Sequence, residues 1–252
     1  FTGEPTCRYA NHEVAAIELK TPGVEPRWTV RMEAELSQIF KPSDDTLAVA
    51  DRQGNLKLVD PATGKVTLDV NVPACAQGVI DGRLESGVLY VYGFEKRTES
   101  NRLPSDRQQW SLAAIRVPNG DVLWARTGLG PLMCVTGDAL TASTNAIPVL
   151  AYRPAIAEGT VHHGNTPLNA GTGRRAKMEF MVVDKATGAT IGDTVSINVD
   201  GVEGSSMLLD LQVWPNRVTA FYGGNYLRFS LLPPGERPSA SSGPQTVPPT
   251  GS

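Results

Sequence analysis

No stretch of the chain approaches the roughly 18 consecutive apolar residues that cross a bilayer, so no direct membrane span is expected. Its first residue is Phe1, with no hydrophobic leader behind it. That start fits a processed product, a truncated piece or the ordered part of something longer. Cysteine is scarce: Cys7, Cys75 and Cys134 are odd in number and far apart, so at most one internal disulfide can form and one thiol is left over. They are expected as small buried or half-buried residues rather than as a redox or metal site. No C-x-x-C-H haem attachment signal occurs. Charge of one sign is also missing, since the formal net charge is −3. A balance so near zero gives no global attraction to nucleic acid or to an anionic membrane surface.

What the chain does have is turn-makers. Its 252 residues hold 25 Gly and 19 Pro against an apolar fraction of 40%, which is enough for a core cut into many short elements. The length allows one all-β domain or two small ones. A repeated unit decides how to read it. Residues 55–70 read NLKLVDPATGKVTLDV, an alternating apolar run, a turn ending at Gly64, then a second alternating run. This is a β-hairpin. LAAIRVPNGDVLWA at 112–125 and MEFMVVDKATGATI at 178–191 repeat it, with turn glycines at 120 and 188, and VAAIELKTPGVEPRWTV at 14–30 is a looser version. Asp, Asn or Thr starts such a turn through side-chain bonds to the backbone, and Gly accepts the positive φ that closes it.

The turn glycines are 56 and 68 residues apart, longer than the roughly 40 to 50 residues of a propeller blade. In the first complete unit, strands over 36–41 and 47–50 precede the hairpin, and only Asp51 to Gly54 separates the second strand from the third. In the next unit the matching second strand, 88–94, is followed by Glu95 to Gln109; in the third, 149–152 is followed by Arg153 to Lys177. Both insertions fall between the second and third strands. A final unit supplies strands over 207–213, 218–222 and 226–231. The expected fold is all-β: four-stranded antiparallel β-propeller blades, about four to five of them over residues 1–232, with 17 strands, and forming the C-terminal part of a larger propeller. Residues 233–252, with six prolines, are expected as a Pro/Ser-rich disordered tail. A β-sandwich would explain the hairpins but not the recurrence of DPATGKV and DKATGAT.

LVDPATGKV at 58–66, IRVPNGDVLW at 115–124 and VVDKATGATI at 182–191 resemble the quinoprotein-like (PQQ-like) β-propeller repeat. That repeat is shared by quinoprotein alcohol dehydrogenases and by non-catalytic relatives such as the β-barrel assembly lipoprotein. The resemblance implies that a Trp a few residues after the turn docks onto the neighbouring blade. Trp124 matches that Trp, Leu68 stands in its place in the earlier unit, and Gly192 occupies it in the third, where tight stacking is in doubt. The enzymes of the family stack their quinone on a vicinal cysteine pair and hold calcium with acidic residues and an Asn. No two cysteines are adjacent here, so the chain is placed with the non-catalytic branch and no cofactor is expected.

Other chemical candidates are weaker than their structural readings. His162 and His163, with Asn165 and Glu158, lack the three or four converging ligands of a metal site and read as a solvated loop. Asp44, Asp45 and Asp60 lie at turns. Ser205 and Ser206 have no plausible base nearby in sequence, and GTGRR at 171–175 lacks the Lys-Ser/Thr ending of a phosphate loop. No catalytic residue is assigned.

The expected function is a non-catalytic scaffold or interaction module, outside the cytoplasm as such relatives usually are and a subunit of a larger complex. A fragment of a PQQ-dependent dehydrogenase and a purely architectural subunit are the alternatives. Both insertions share one propeller face, and recognition concentrates on loops carried by rigid scaffolds. Residues 95–109 carry four basic against three acidic side chains, and 153–177 four against one, so together they hold +4 in a chain of −3. This locally basic face is expected to meet a protein or other macromolecule, or an upstream part of the same precursor, through Arg174, Arg175, Lys177, Arg97 and Arg102. Arg174 and Arg175 are its best anchors for a carboxylate or phosphate.

Overall fold

A computed structural model describes residues 6–10, 12–17, 26–96, 109–129, 132–134, 140, 145–154, 175–200, 210–214, 217–222 and 225–230. These residues form five antiparallel sheets in chain order. Strands β1 (Thr6–Ala10), β2 (Glu13–Ile17) and β3 (Trp28–Arg31) make the first. The second is β4 (Leu36–Ser43), β5 (Thr46–Asp51), β6 (Asn55–Val59) and β7 (Val66–Asn71). The third is β8 (Val79–Glu85), β9 (Val88–Lys96), β10 (Gln109–Arg116) and β11 (Val122–Arg126). The fourth is β12 (Leu132–Cys134), β13 (Ala146–Pro154), β14 (Arg175–Asp184) and β15 (Val195–Asp200). The last is β16 (Asp210–Trp214), β17 (Arg217–Tyr222) and β18 (Asn225–Ser230). Every sheet is a meander in which each strand pairs with its sequence neighbour, and three of them have the four strands of a propeller blade. The described strands number 18 rather than the expected 17. The difference is β1, whose TCRYA carries little apolar signal and gains its order by pairing with β2, Cys7 opposite Ala16.

The sheets stack face to face. In β5, Leu47 and Val49 join Val14, Val30 and Met32 of the first sheet and link, while Ala48 and Ala50 point the other way to a cluster with Leu89, Val91 and Ile115 of the third. Period-2 alternation normally leaves one face wet. Here both faces are covered, so residues 47–51 are buried without a break, as are 110–115 of β10. This double burial is the signature of a sheet held between two others.

The first four sheets are joined in series through the third-to-fourth-strand turns of the second, third and fourth. Asp60 Oδ1 accepts the Ala62 and Thr63 N–H groups at 2.8 and 3.3 Å, and Gly64 N–H donates to the Asp60 carbonyl at 2.8 Å. The first sheet lays Trp28 across this turn. Its Nε1–H donates to the Pro61 carbonyl at 2.9 Å, and a Cβ placed on Gly64 would lie 2.3 Å from the Trp28 Cβ. Trp124 does the same to the 184–188 turn of the fourth sheet: Nε1–H to the Lys185 carbonyl at 2.8 Å, with a Cβ on Gly188 2.7 Å from the indole. Leu68 fills the corresponding seat over Gly120 more loosely, since a Cβ there would meet its Cδ1 at an ordinary 3.5 Å. Gly192 has nothing within 4 Å of an added Cβ, and the register changes there: Val183 bridges Thr190, but Phe180 pairs with Val195. Hydrogen bonds from Ala62 and Thr63 hold the Asp60 carboxyl below its ordinary 3.8, and those from the Thr187 hydroxyl and N–H, then Ala186, do the same for Asp184. The stability they lend is therefore full above about pH 4 and is lost as the pH falls through their folded values.

Gly188 and Gly192 have similar positive φ, 71° and 66°. Gly188→Ala is expected to cost about 3 kcal/mol, the left-handed penalty plus displacement of Trp124. Gly192→Ala should cost about 1 kcal/mol, the backbone penalty alone. Urea unfolding of the two variants beside the wild type measures the difference.

Candidate functional site at the loop-bearing end of the sheets

Strands alternate in direction, so connections between second and third strands leave from the same end of a sheet as the links between sheets. In the three four-stranded sheets these connections differ in length. In the second sheet only residues 52–54 are needed. Asp51, fully buried, closes that end: its Oδ1 accepts the Gln53 and Asn55 N–H groups, both at 2.9 Å, and its Oδ2 accepts Asn55 Nδ2–H at 2.8 Å and the Ala34 N–H at 3.2 Å. A buried carboxylate is tolerable because these four donors replace water. Ala34 lies in the link from the first sheet, so one side chain fixes both the turn and the approach of the neighbouring sheet. Asn71 extends the clamp through Nδ2–H to the Gln53 carbonyl at 3.1 Å and to Asn55 Oδ1 at 2.8 Å.

The third sheet opens into the first insertion where Gln109 pairs with Lys96. Its base is aromatic: Trp110 packs on Phe94 with ring centroids 4.2 Å apart and on Tyr92 at 6.0 Å. Glu95 accepts the Gly128 N–H at 3.2 Å, tying the insertion base to the start of the link toward the fourth sheet. Beneath it, the chain 73–78 crosses Gly93 so closely that a Cβ there would lie 2.3 Å from the Gly78 carbonyl oxygen. Cys75 Sγ sits 3.3 Å from Ser111 Oγ in the same buried layer. Burial pushes the Cys75 thiol up to about 11, with the Ser111 hydrogen bond acting weakly in the other direction. The fourth sheet opens into the second insertion where Pro154 pairs with Ala176.

Strand β9 runs on to Lys96, and β13 and β14 reach Pro154 and Arg175, so the insertions are narrower than expected, 97–108 and 155–174. Arg97, Arg102 and Arg174 lie outside the described residues. Arg175 and Lys177 are in β14, in register with Asp200 and Asn198 of β15. His162, His163, Ser205, Ser206 and the tail from 233 also lie outside the described residues. Among the described residues no three His, Cys, Asp or Glu side chains are gathered to hold a metal, and no helix is long and apolar enough to cross a membrane. At the opposite, tight-turn end, a shallow polar recess is lined by Lys41, Ser43, Asp44 and Arg83. Arg83 Nη1–H groups there bond Asp81 Oδ1 and the Lys41 carbonyl, both at 3.2 Å, stitching β4 to β8. Sequence reasoning passed over Asp51 as part of a short link. Its signal was an Asp followed by Gly three and Asn four residues later.

No family model matches the chain, and no curated protein matches it in sequence. Among solved structures it is similar to BamB from Moraxella catarrhalis, at 13% identity and TM-score 0.45, over 90% of this chain and 58% of that one. The chain thus spans less than two thirds of that protein's length. It is also similar to the computationally designed Ika4 protein, at 12% identity and TM-score 0.42, over 79% of this chain and 92% of the other. The WD40 domain from Toxoplasma gondii coronin gives 8% identity and TM-score 0.42, over 87% and 50%. What the chain's own strand order and sheet stacking establish is an all-β fold of propeller blades.

In a Cys7→Ser/Cys134→Ser background, Cys75 should react with an aromatic disulfide reagent at pH 8 about 100-fold more slowly in the folded protein than in urea, as a buried, protonated thiol must. A raised thiol value favours the folded state up to the ordinary 9.0, and that gain is lost as the pH rises toward about 11. Cys75→Ala should flatten the decline in urea midpoint over that interval.

Proposed function

We propose that the chain is a non-catalytic propeller scaffold of the PQQ-like type that presents its loop-bearing end to a macromolecular partner. The observation that carries this is the shared end of the two insertions: 97–108 leaves between Lys96 and Gln109, 155–174 between Pro154 and Arg175, each a second-to-third-strand connection of adjacent sheets. The second sheet shows that the fold needs only three residues there, so the added length is not demanded by the blade. Together with the residues beside them, the insertions carry four positive charges more than negative ones. An acidic or anionic partner outside the cytoplasm is the matching chemistry, with Arg174 and Arg175 as forked anchors helped by Lys177, Arg97 and Arg102. Pull-down of partners from the native source, compared between wild type and Arg174→Glu/Arg175→Glu, tests it. Loss of association by about tenfold or more is expected; unchanged association with every partner overturns the basic-face reading. Dye reduction with alcohols in the presence of PQQ and calcium should stay at background, and turnover would mark an enzyme fragment instead.

The partner set includes more propeller. Trp28 docks as Trp124 does, and Trp124 is on the fourth strand of its sheet, so β3 is also a fourth strand and β1 a second. No described strand fills the inner place beside β1, or the fourth place beside β18. An upstream part of the same precursor, or another chain, would complete both sheets. Residues 1–252 alone should then self-associate with rising concentration in sedimentation velocity. A stable monomer with one sharp unfolding transition would mean a ring that closes by itself.

A further inference from the structure

The turns at 60–65 and 184–189 are one object built twice. In the second, Asp184 Oδ1 accepts the Ala186 and Thr187 N–H groups and Gly188 N–H returns to the Asp184 carbonyl, matching Asp60, Ala62, Thr63 and Gly64. Thr63 Oγ1 accepts the Lys65 N–H at 3.3 Å, and Thr187 Oγ1 the Ala189 N–H at 3.2 Å. The strands beneath the two indoles match as well. Ala16 lies across from Trp28 and Cys7, and Ala114 across from Trp124 and Tyr90. Each indole could therefore seat on either turn, and repeat chains with equivalent interfaces are prone to misassembly.

The turns differ at two positions: Lys65 against Ala189, both exposed, and the residue after the aspartate, which is the difference that enters the core. The residue after the aspartate is Pro61 in the first turn and Lys185 in the second. Lys185 is 4% exposed although it is a turn residue. Its ammonium donates to the Glu85 carboxylate at the end of β8 and stands 5.1 Å from the centre of the Tyr90 ring. Its N–H donates to the Asn145 carbonyl at 2.9 Å. The first sheet has Cys7 at the register position of Tyr90, and no described strand in the place of β8.

We propose that Lys185, with Glu85 and Tyr90, sets the order of the sheets: the 184–189 turn can be buried only against the sheet that brings a carboxylate and an aromatic face to its ammonium. Docked under Trp28 instead, Lys185 would be buried without that carboxylate. In the converse exchange Glu85 would face Pro61 with no cation. Lys185 is the buried partner and Glu85 lies at the rim, so a pairing that leaves the buried ammonium without a carboxylate is more costly than replacing both partners with apolar groups, and discrimination comes from the wrong pairing rather than from the right one. This holds whether or not the loop-bearing end binds a partner.

The test uses the full chain with Lys185→Met, Glu85→Leu and the double variant, and reads stability and docking separately. Each single variant is expected to lower the urea midpoint, and the double variant to return close to the wild-type value. Misdocking is read by adding Arg27→Cys and Ala186→Cys, which flank Trp28 and sit in the 184–189 turn, and refolding under mild oxidation. The disulfide between these two positions should form roughly threefold more often in the double variant than with the native pair present. An unchanged yield of that disulfide overturns the proposal. So does a double variant as unstable as the singles, because the pair would then be an ordinary stabilising contact.

Discussion

A large side chain laid over a turn glycine couples the first four sheets in series, an indole at two of the three seams, and the rest of the structure depends on that contact. It works only if two conditions hold together. The turn must place a glycine at positive φ, and the preceding sheet must end in a strand whose large side chain reaches across. Trp28 and Trp124 meet both with an Nε1–H bond to a turn carbonyl. Leu68 meets the second with volume alone. The seams are therefore graded, from hydrogen-bonded to merely packed.

Double-sided burial follows from this coupling. Once a sheet is pinned on both sides, an inner strand loses its wet face: β5 is buried without a break from Leu47 to Asp51, and β10 from Trp110 to Ile115. The ends of the sheets are then the places left for variation. Where the second-to-third-strand link is short, the buried Asp51 carboxylate closes the end with four N–H donors; in the third sheet, where it is long, Tyr92, Phe94 and Trp110 pack together at the strand ends.

Much of this fold is legible in the sequence because the hairpins announce themselves locally. The Asp-to-Gly turns, the alternating runs on either side and the docking positions 68 and 124 are all set by residues close together in the chain. Three things are not local. Strand β1 owes its existence to pairing with β2 rather than to its own TCRYA. Asp51 looks like any turn aspartate until Ala34, 17 residues away, is brought to it. Lys185 reads as an exposed turn charge, and only its meeting with Glu85, 100 residues earlier, makes it a core residue. As for the candidate site, topology shows that the two insertions share an end, whereas Arg97, Arg102 and Arg174 belong to stretches whose composition carries charge but no periodic pattern.

The direction of docking has a consequence for synthesis. In each seam the large side chain belongs to the earlier sheet and the glycine turn to the later one: Trp28 before Gly64, Leu68 before Gly120, Trp124 before Gly188. As the chain leaves the ribosome, at roughly 5 to 20 residues per second, every plug is already present when its socket emerges. A newly made sheet can thus be captured by the sheet before it at once, and the nascent chain grows as a stack uncovered only at its two ends.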